Sequence, residues 1–135
     1  MQPELLLFDI GNTSIKVGLA NERRVLASYA LPANVGHTPD SLGLTLLSLL
    51  RHAGAEAAVL KACVASSVVP GFDPLLRETV ARYLDRPLHC APDDLPIPLE
   101  NRYERPSEVG TDRLVGAFAA RRLCLDAASL LVVDF

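Results

Sequence analysis

Leu5-Leu6-Leu7-Phe8-Asp9-Ile10-Gly11-Asn12-Thr13-Ser14-Ile15-Lys16-Val17-Gly18-Leu19 is the stretch on which the reading of the fold turns. Its first four residues are an unbroken apolar run that closes on Asp9, and Gly11-Asn12-Thr13 supplies the small and polar residues of a tight turn. From Ser14 to Leu19 the apolar Ile15, Val17 and Leu19 alternate with Ser14, Lys16 and Gly18, the two-residue period of a half-buried strand. Asn21-Glu22-Arg23-Arg24 is a polar turn, after which Val25, Ala27, Tyr29 and Leu31 restore the alternation. Consecutive strands joined by such short links make an antiparallel meander.

Further along, Thr38-Pro39 offers an N-cap followed by proline at the first helical position, where its missing N–H costs nothing. Leu42, Leu46, Leu49 and Leu50 fall on one helical face, and Gly54 stands where a glycine ends a helix. Val59 to Val69 is apolar and rich in small or β-branched residues, which predicts a strand covered on both faces, broken by Pro70-Gly71. Phe72 to Leu84 carries Leu75, Leu76, Val80 and Leu84 at helical spacing, and Pro87 to Cys90 reads as a brief strand. Pro92, Pro96, Pro98 and Pro106 then force an extended or turning link. A third helix from Thr111 to Leu125 and a terminal strand over Leu130 to Val133 complete the series. The order is α/β, βββαβαβα: a mixed sheet with flanking helices. That is the ribonuclease-H-like lobe found in each half of actin-like ATPase folds, a topology that leaves function open.

The chain has 135 residues, room for one ordinary domain. With 50% hydrophobic and 21% charged residues it can bury a core. Lys plus Arg number 13 against 16 Asp plus Glu, a net charge of -3 with no basic block, which argues against nucleic acid as the main partner. Cys63, Cys90 and Cys124 are odd in number and widely spaced, fitting reduced thiols better than a disulfide framework. His89 beside Cys90 lacks a second pair of ligands nearby and reads more simply as a strand end than as a zinc site. The N-terminus lacks the basic region of a signal peptide, and no apolar run approaches the ~18 residues that span a membrane. A cytoplasmic protein without membrane contact is the expectation. Because the sequence stops on apolar Leu130 to Val133 with Asp134-Phe135, residues 129–135 are expected to be the first strand of a truncated second lobe, and residues 1–128 the N-terminal lobe.

Three places carry residues suited to chemistry. Asp9 to Lys16 spans the first hairpin, where Gly11 allows close backbone approach and turn amides with Asn12, Thr13 and Ser14 can cradle phosphate oxygens. A plain hairpin turn reads the same residues without function. Gly110-Thr111-Asp112-Arg113 opens the third helix, whose free N–H groups favour an anion and which sets an acceptor beside a forked cation. Asp112 as a simple helix-terminus stabiliser is the competing reading. Asp134 closes Leu-Leu-Val-Val much as Asp9 closes Leu-Leu-Leu-Phe.

Asp9-Ile10-Gly11-Asn12-Thr13, Ala65-Ser66-Ser67-Val68-Val69-Pro70, Tyr103-x-x-Pro106-x-x-x-Gly110-x-Asp112-Arg113 and Val132-Val133-Asp134-Phe135, in that order, resemble the type III pantothenate kinase family across the whole chain. The resemblance implies ATP-dependent phosphorylation of pantothenate to 4'-phosphopantothenate, the first step of coenzyme A biosynthesis, by a cytoplasmic homodimer using Mg²⁺ and a monovalent cation, K⁺ or NH₄⁺. By matching position, Asp9, Ile10, Gly11, Asn12, Thr13, Ser14, Ile15 and Lys16 would form the ATP phosphate hairpin. Tyr103, Gly110, Thr111, Asp112 and Arg113 would bind pantothenate, with Asp112 as proton acceptor and Asp134 on the monovalent cation. Thr111 stands where the family commonly has alanine. This chain by itself is expected to be inactive. Two other readings are a transcriptional accessory factor of the same family and the lobe of another actin-like nucleotide-dependent kinase, although the latter gives no reason for Tyr103 or the Gly110 to Arg113 cluster.

Overall fold

The computed structural model describes residues 2–133. Strands β1 (Leu5–Ile10), β2 (Ser14–Ala20) and β3 (Val25–Pro32) lead into helix α1 (Pro39–His52). Then follow β4 (Ala62–Ser67), α2 (Phe72–Tyr83), β5 (Leu88–Ala91) and α3 (Thr111–Leu123). The sheet has five strands in the order β3-β2-β1-β4-β5. Pairings β1–β2 and β2–β3 are antiparallel, while β1–β4 and β4–β5 are parallel. This is the mixed sheet of a ribonuclease-H-like lobe, reached because short polar turns permit hairpins and parallel neighbours require helical crossovers.

Alternation decides which side chains meet the helices. Leu6, Phe8 and Ile10 of β1 lie opposite Leu19, Val17 and Ile15 of β2 and beside Cys63 and Ala65 of β4. All are buried with Leu42, Leu46 and Leu50 of α1 and Leu76 and Val80 of α2 in one core. Helix α1 starts as expected: Thr38 Oγ1 accepts from the Ser41 amide and Ser41 Oγ from the Thr38 amide, a reciprocal cap. It stops at Gly54, whose φ of +70° suits a residue without a Cβ. Helices α1 and α2 touch at Gly43, over which the Tyr83 ring lies, and Tyr83 Oη donates to Asp40 at 2.6 Å.

The opposite face is different. Leu7, Asp9, Lys16, Gly18, Val64 and Ser66 share it by register, and α3 is the helix that lies over it, at β4. No residue of α3 is fully buried. The double coverage expected of the Val59–Val69 stretch is therefore incomplete, and the strand is shorter than its apolar run. Ala57–Val59 forms a 3₁₀ turn, while Val68 and Val69 lie beyond Ser67, whose hydroxyl accepts from the Val69 amide at 3.1 Å. Helix α3 ends at Leu123 rather than Leu125. Residues 130–133 form no strand, and Leu131 is 91% exposed. An extended apolar segment needs a strand beside it, and neither sheet edge takes this one up among the described residues. Asp134 lies outside the described residues.

Candidate functional site

The register of the first hairpin assembles the site. Asp9 on β1 pairs with Lys16 on β2 and with Ser66 on β4, so the three side chains form one row across the open face. The same alternation sends Ile10 and Ile15 into the core at 0% exposure, so within the predicted phosphate run they can offer only backbone atoms. At the turn, the Gly11 amide donates to the Ser14 carbonyl at 2.9 Å, and the Thr13 carbonyl is held by the Ala33 amide at 3.1 Å. The amides of Asn12 and Thr13 donate to no backbone carbonyl in the turn or beyond it among the described residues. They are the donors a phosphate nest requires.

Above this row lies a cavity of about 470 Å³. Its walls include Asp9, Lys16 and Ser66 from the sheet, Asp112, Val115 and Gly116 from α3, and apolar Leu7, Val25 and Val64. Asp112 also borders a neighbouring cavity with Arg113, Gly116, Ala117, Val132 and Val133. The structure thus brings Asp9 and Lys16 of the hairpin together with Asp112 of α3, residues about a hundred positions apart in sequence, and puts Arg113 on the far side of Asp112.

Gly110 is the N-cap of α3, with φ -62° and ψ 145°, and it makes no side-chain cap. The role of cap falls partly to Asp112, whose Oδ1 accepts from the Arg113 amide at 2.9 Å. That oxygen lies so close to Gly110 that a Cβ there would meet it at 2.6 Å. Thr111 is half-buried in the first turn. Tyr103 is not brought to either cavity: it is 57% exposed in the link before α3, its amide donating to Asn101 Oδ1.

Asp40 and Asp94, away from the site, are held by close partners. The Tyr83 hydroxyl and then the Arg82 guanidinium hold the Asp40 carboxyl below its ordinary range. The Cys90 amide and then Arg77 do the same for Asp94. None of the ion pairs among the described residues involves Asp9, Lys16, Asp112 or Arg113. Asp9, Lys16 and Asp112 stand outside those ion pairs around a largely apolar cavity, with Arg113 at the neighbouring one. Among the described residues, no group of three His, Cys, Asp or Glu converges as metal ligands. His89 and Cys90 face opposite sides of β5, beside Val64 and Ala65 respectively. No helix among the described residues is long and apolar enough to cross a membrane.

Ser66 is the site residue that sequence reasoning did not single out, although its motif was in view. Its neighbour Ser67 closes the turn after β4, whereas Ser66 Oγ is buried and has no hydrogen-bond partner among the described residues. The signal was present in the alternation that sets position 66 on the same face as Val64, and hence as Asp9.

A family model for type III pantothenate kinase matches residues 5–135. A type III pantothenate kinase of Desulfovibrio desulfuricans is 69% identical over 135 residues, covering 100% of this chain and 51% of the relative. One of Nitratidesulfovibrio vulgaris strain DP4 is 62% identical over 135 residues, covering 100% and 52%. The chain spans about half the length of the curated relatives it matches. Among solved structures, YeaZ from Pseudomonas aeruginosa is similar over 67% of this chain and 43% of its own, with 25% identity and a TM-score of 0.45.

Proposed function

As the chain belongs to the type III pantothenate kinase family, we propose that it carries the phosphate hairpin and the acceptor site of an enzyme that transfers the γ-phosphoryl group of ATP to the terminal hydroxyl of pantothenate. The observation that supports this most is the convergence of Asp9, Lys16 and Asp112, none of them in an ion pair among the described residues, from three elements around one cavity. In phosphoryl transfer the protein mainly aligns the two reacting oxygens and offsets the charge on the transferred group.

Each residue has a task that its position allows. The free amides of Asn12 and Thr13 and the ammonium of Lys16 receive phosphate oxygens at the hairpin, approached across Gly11. Ile10 and Ile15 contribute the rigid strands that hold it. Asp112 orients the acceptor hydroxyl and takes its proton as the new P–O bond forms. The hydroxyl becomes acidic only late in the transfer, so orienting it comes first. Gly110 and Thr111 shape the approach to that hydroxyl, and Arg113 faces the neighbouring cavity, where a guanidinium fork suits the carboxylate of pantothenate or the transferring phosphate. Tyr103 is assigned to the pantothenate pocket by its match to the family motif alone, since it stands exposed in the link before α3 and borders neither cavity.

Asp9 is a carboxylate at the end of β1 beside the hairpin turn, a donor suited to Mg²⁺ that keeps most of its ligands as water and phosphate oxygens. Bound there, Mg²⁺ would supply positive charge to the phosphates. Asp134 is the candidate ligand of K⁺ or NH₄⁺. The rest of the relatives' length supplies a second lobe beginning near residue 129, and the whole works as a homodimer in the cytoplasm, at the first step of coenzyme A biosynthesis.

The test is Asp112→Asn in the full-length protein, assayed with ATP, Mg²⁺, K⁺ and pantothenate. Turnover should fall by roughly 10²-fold or more, the usual contribution of a positioned base, while nucleotide affinity is retained. A parallel loss of ATP binding would remove Asp112 from this role.

A further inference from the structure

Ser66 has a buried hydroxyl that the proposed function leaves idle. It lies on the open face in register with Asp9, borders the cavity shared with Lys16 and Asp112, and its Oγ finds no hydrogen-bond partner among the described residues. Native proteins rarely tolerate such a group without reason, because a buried hydroxyl deprived of a partner is destabilising. The adjacent Ser67 shows what a purely structural serine does here: its Oγ both accepts from the Val69 amide and donates to the Val69 carbonyl. Alanine at position 66 would fill the same place on the strand without the unpaired hydroxyl.

We propose that Ser66 is a ligand-positioning residue: a turn about χ1 brings its hydroxyl into the cavity, where it donates to a phosphoryl oxygen held between the Asp9–Lys16 pair and Asp112. The hydroxyl is kept unpaired in the free protein and gains its partner when the ligand arrives. Its place on a central strand, flanked by β1 and β5, fixes the Cα and leaves only χ1 to adjust. The proposal rests on the kinase reading for the identity of the ligand, and the geometry itself asks for an anionic oxygen beside Lys16.

The experiment compares Ser66→Ala and Ser66→Thr with wild type in the full-length protein. It reads thermal midpoints without ligand, the shifts in midpoint given by Mg²⁺-ATP and by pantothenate separately, and steady-state kinetics. Ser66→Ala should leave the unliganded midpoint unchanged or higher, shrink the Mg²⁺-ATP shift, leave the pantothenate shift, and lower kcat by roughly tenfold or more, as expected for a lost hydrogen bond to a charged group. Ser66→Thr, which keeps the hydroxyl, should restore most of both. An unliganded midpoint of Ser66→Ala below that of wild type, with activity lost in proportion and no rescue by threonine, would make Ser66 structural and overturn the proposal. So would unchanged kinetics and an unchanged Mg²⁺-ATP shift. A wild-type protein that binds Mg²⁺-ATP but never phosphorylates pantothenate would sink the kinase reading alone, with the Mg²⁺-ATP shift still deciding the role of Ser66.

Discussion

Gly110→Ala separates the position of the Asp112 carboxylate from the stability of the lobe. The backbone at Gly110 has φ -62° and ψ 145°, a conformation open to any residue, so alanine meets no backbone strain. The obstacle is local. Its Cβ would lie 2.6 Å from Asp112 Oδ1 and 3.6 Å from the Val68 side chain, and real Cβ contacts stay beyond 3.0 Å. A carboxylate at the end of a short side chain yields readily, so the Asp112 oxygen retreats by at least about 0.4 Å and the hydrogen bond from the Arg113 amide goes with it. Since misplacing a reacting group by about 1 Å costs roughly 10²-fold, a shift of this size should cost about five- to tenfold in kcat. The accompanying change of N-cap residue costs at most about 1 kcal/mol, leaving the protein folded in the assay. Steady-state kinetics of pantothenate phosphorylation by the full-length protein measures the effect. Placing Gly110→Ala in an Asp112→Asn background identifies its route. If alanine acts through Asp112, the second substitution adds little to the first. Full activity in Gly110→Ala, or losses that multiply in the double variant, would refute the link between this glycine and the carboxylate.

Other consequences can be checked on stability and reactivity. Gly43→Ala sets a Cβ 2.2 Å from Tyr83 Cδ2 and 2.4 Å from Cγ, too near the ring's root to be relieved by rotation. Despite the helix-propensity gain of about 1 kcal/mol, overpacking should lower stability by about 1–2 kcal/mol in urea unfolding, and an unchanged midpoint would contradict the packing of α1 on α2. Burial pushes the Cys63 thiol up to about 12 and raises that of Cys90, while Cys124 is exposed. A disulfide reagent at neutral pH should therefore label Cys124 alone until the protein is unfolded. The Cys90 amide and Arg77 hold the Asp94 carboxyl below its ordinary 3.8, so its contribution to stability is present above that value and lost as pH falls through the lower, folded value. Thermal midpoints of wild type and Asp94→Asn should converge in acid; a constant gap would deny the pairing.

Local signals carried most of the fold. The alternation in β2 separated Lys16 from Ile15 correctly, while the unbroken apolar run of β1 left the faces of Asp9 and Ile10 to the pairing register. Thr38-Pro39 and Gly54 marked the ends of α1 because caps are short-range chemistry. The Val59–Val69 run was less legible, since an apolar stretch does not say where pairing starts, and only β1 and β5 alongside delimit Ala62–Ser67. Coverage of the second face was not legible at all. It depends on where α3 sits, and a helix with Leu123 at 84% exposure and no buried residue gives no periodic cue to its own docking. In the site, Asp9, Lys16 and Asp112 border one cavity, which their separate motifs did not say, whereas Tyr103 stays in an exposed link. Ser66 escaped notice because being buried without a partner is a property of three dimensions.

The most direct measurement is product formation: full-length protein incubated with ATP, Mg²⁺, K⁺ and pantothenate, with phosphorylated pantothenate identified by mass. The open-face site predicts 4'-phosphopantothenate in step with ADP release, and the loss of both in Asp112→Asn. ADP release without phosphorylated pantothenate, or equal product from Asp112→Asn, would contradict it.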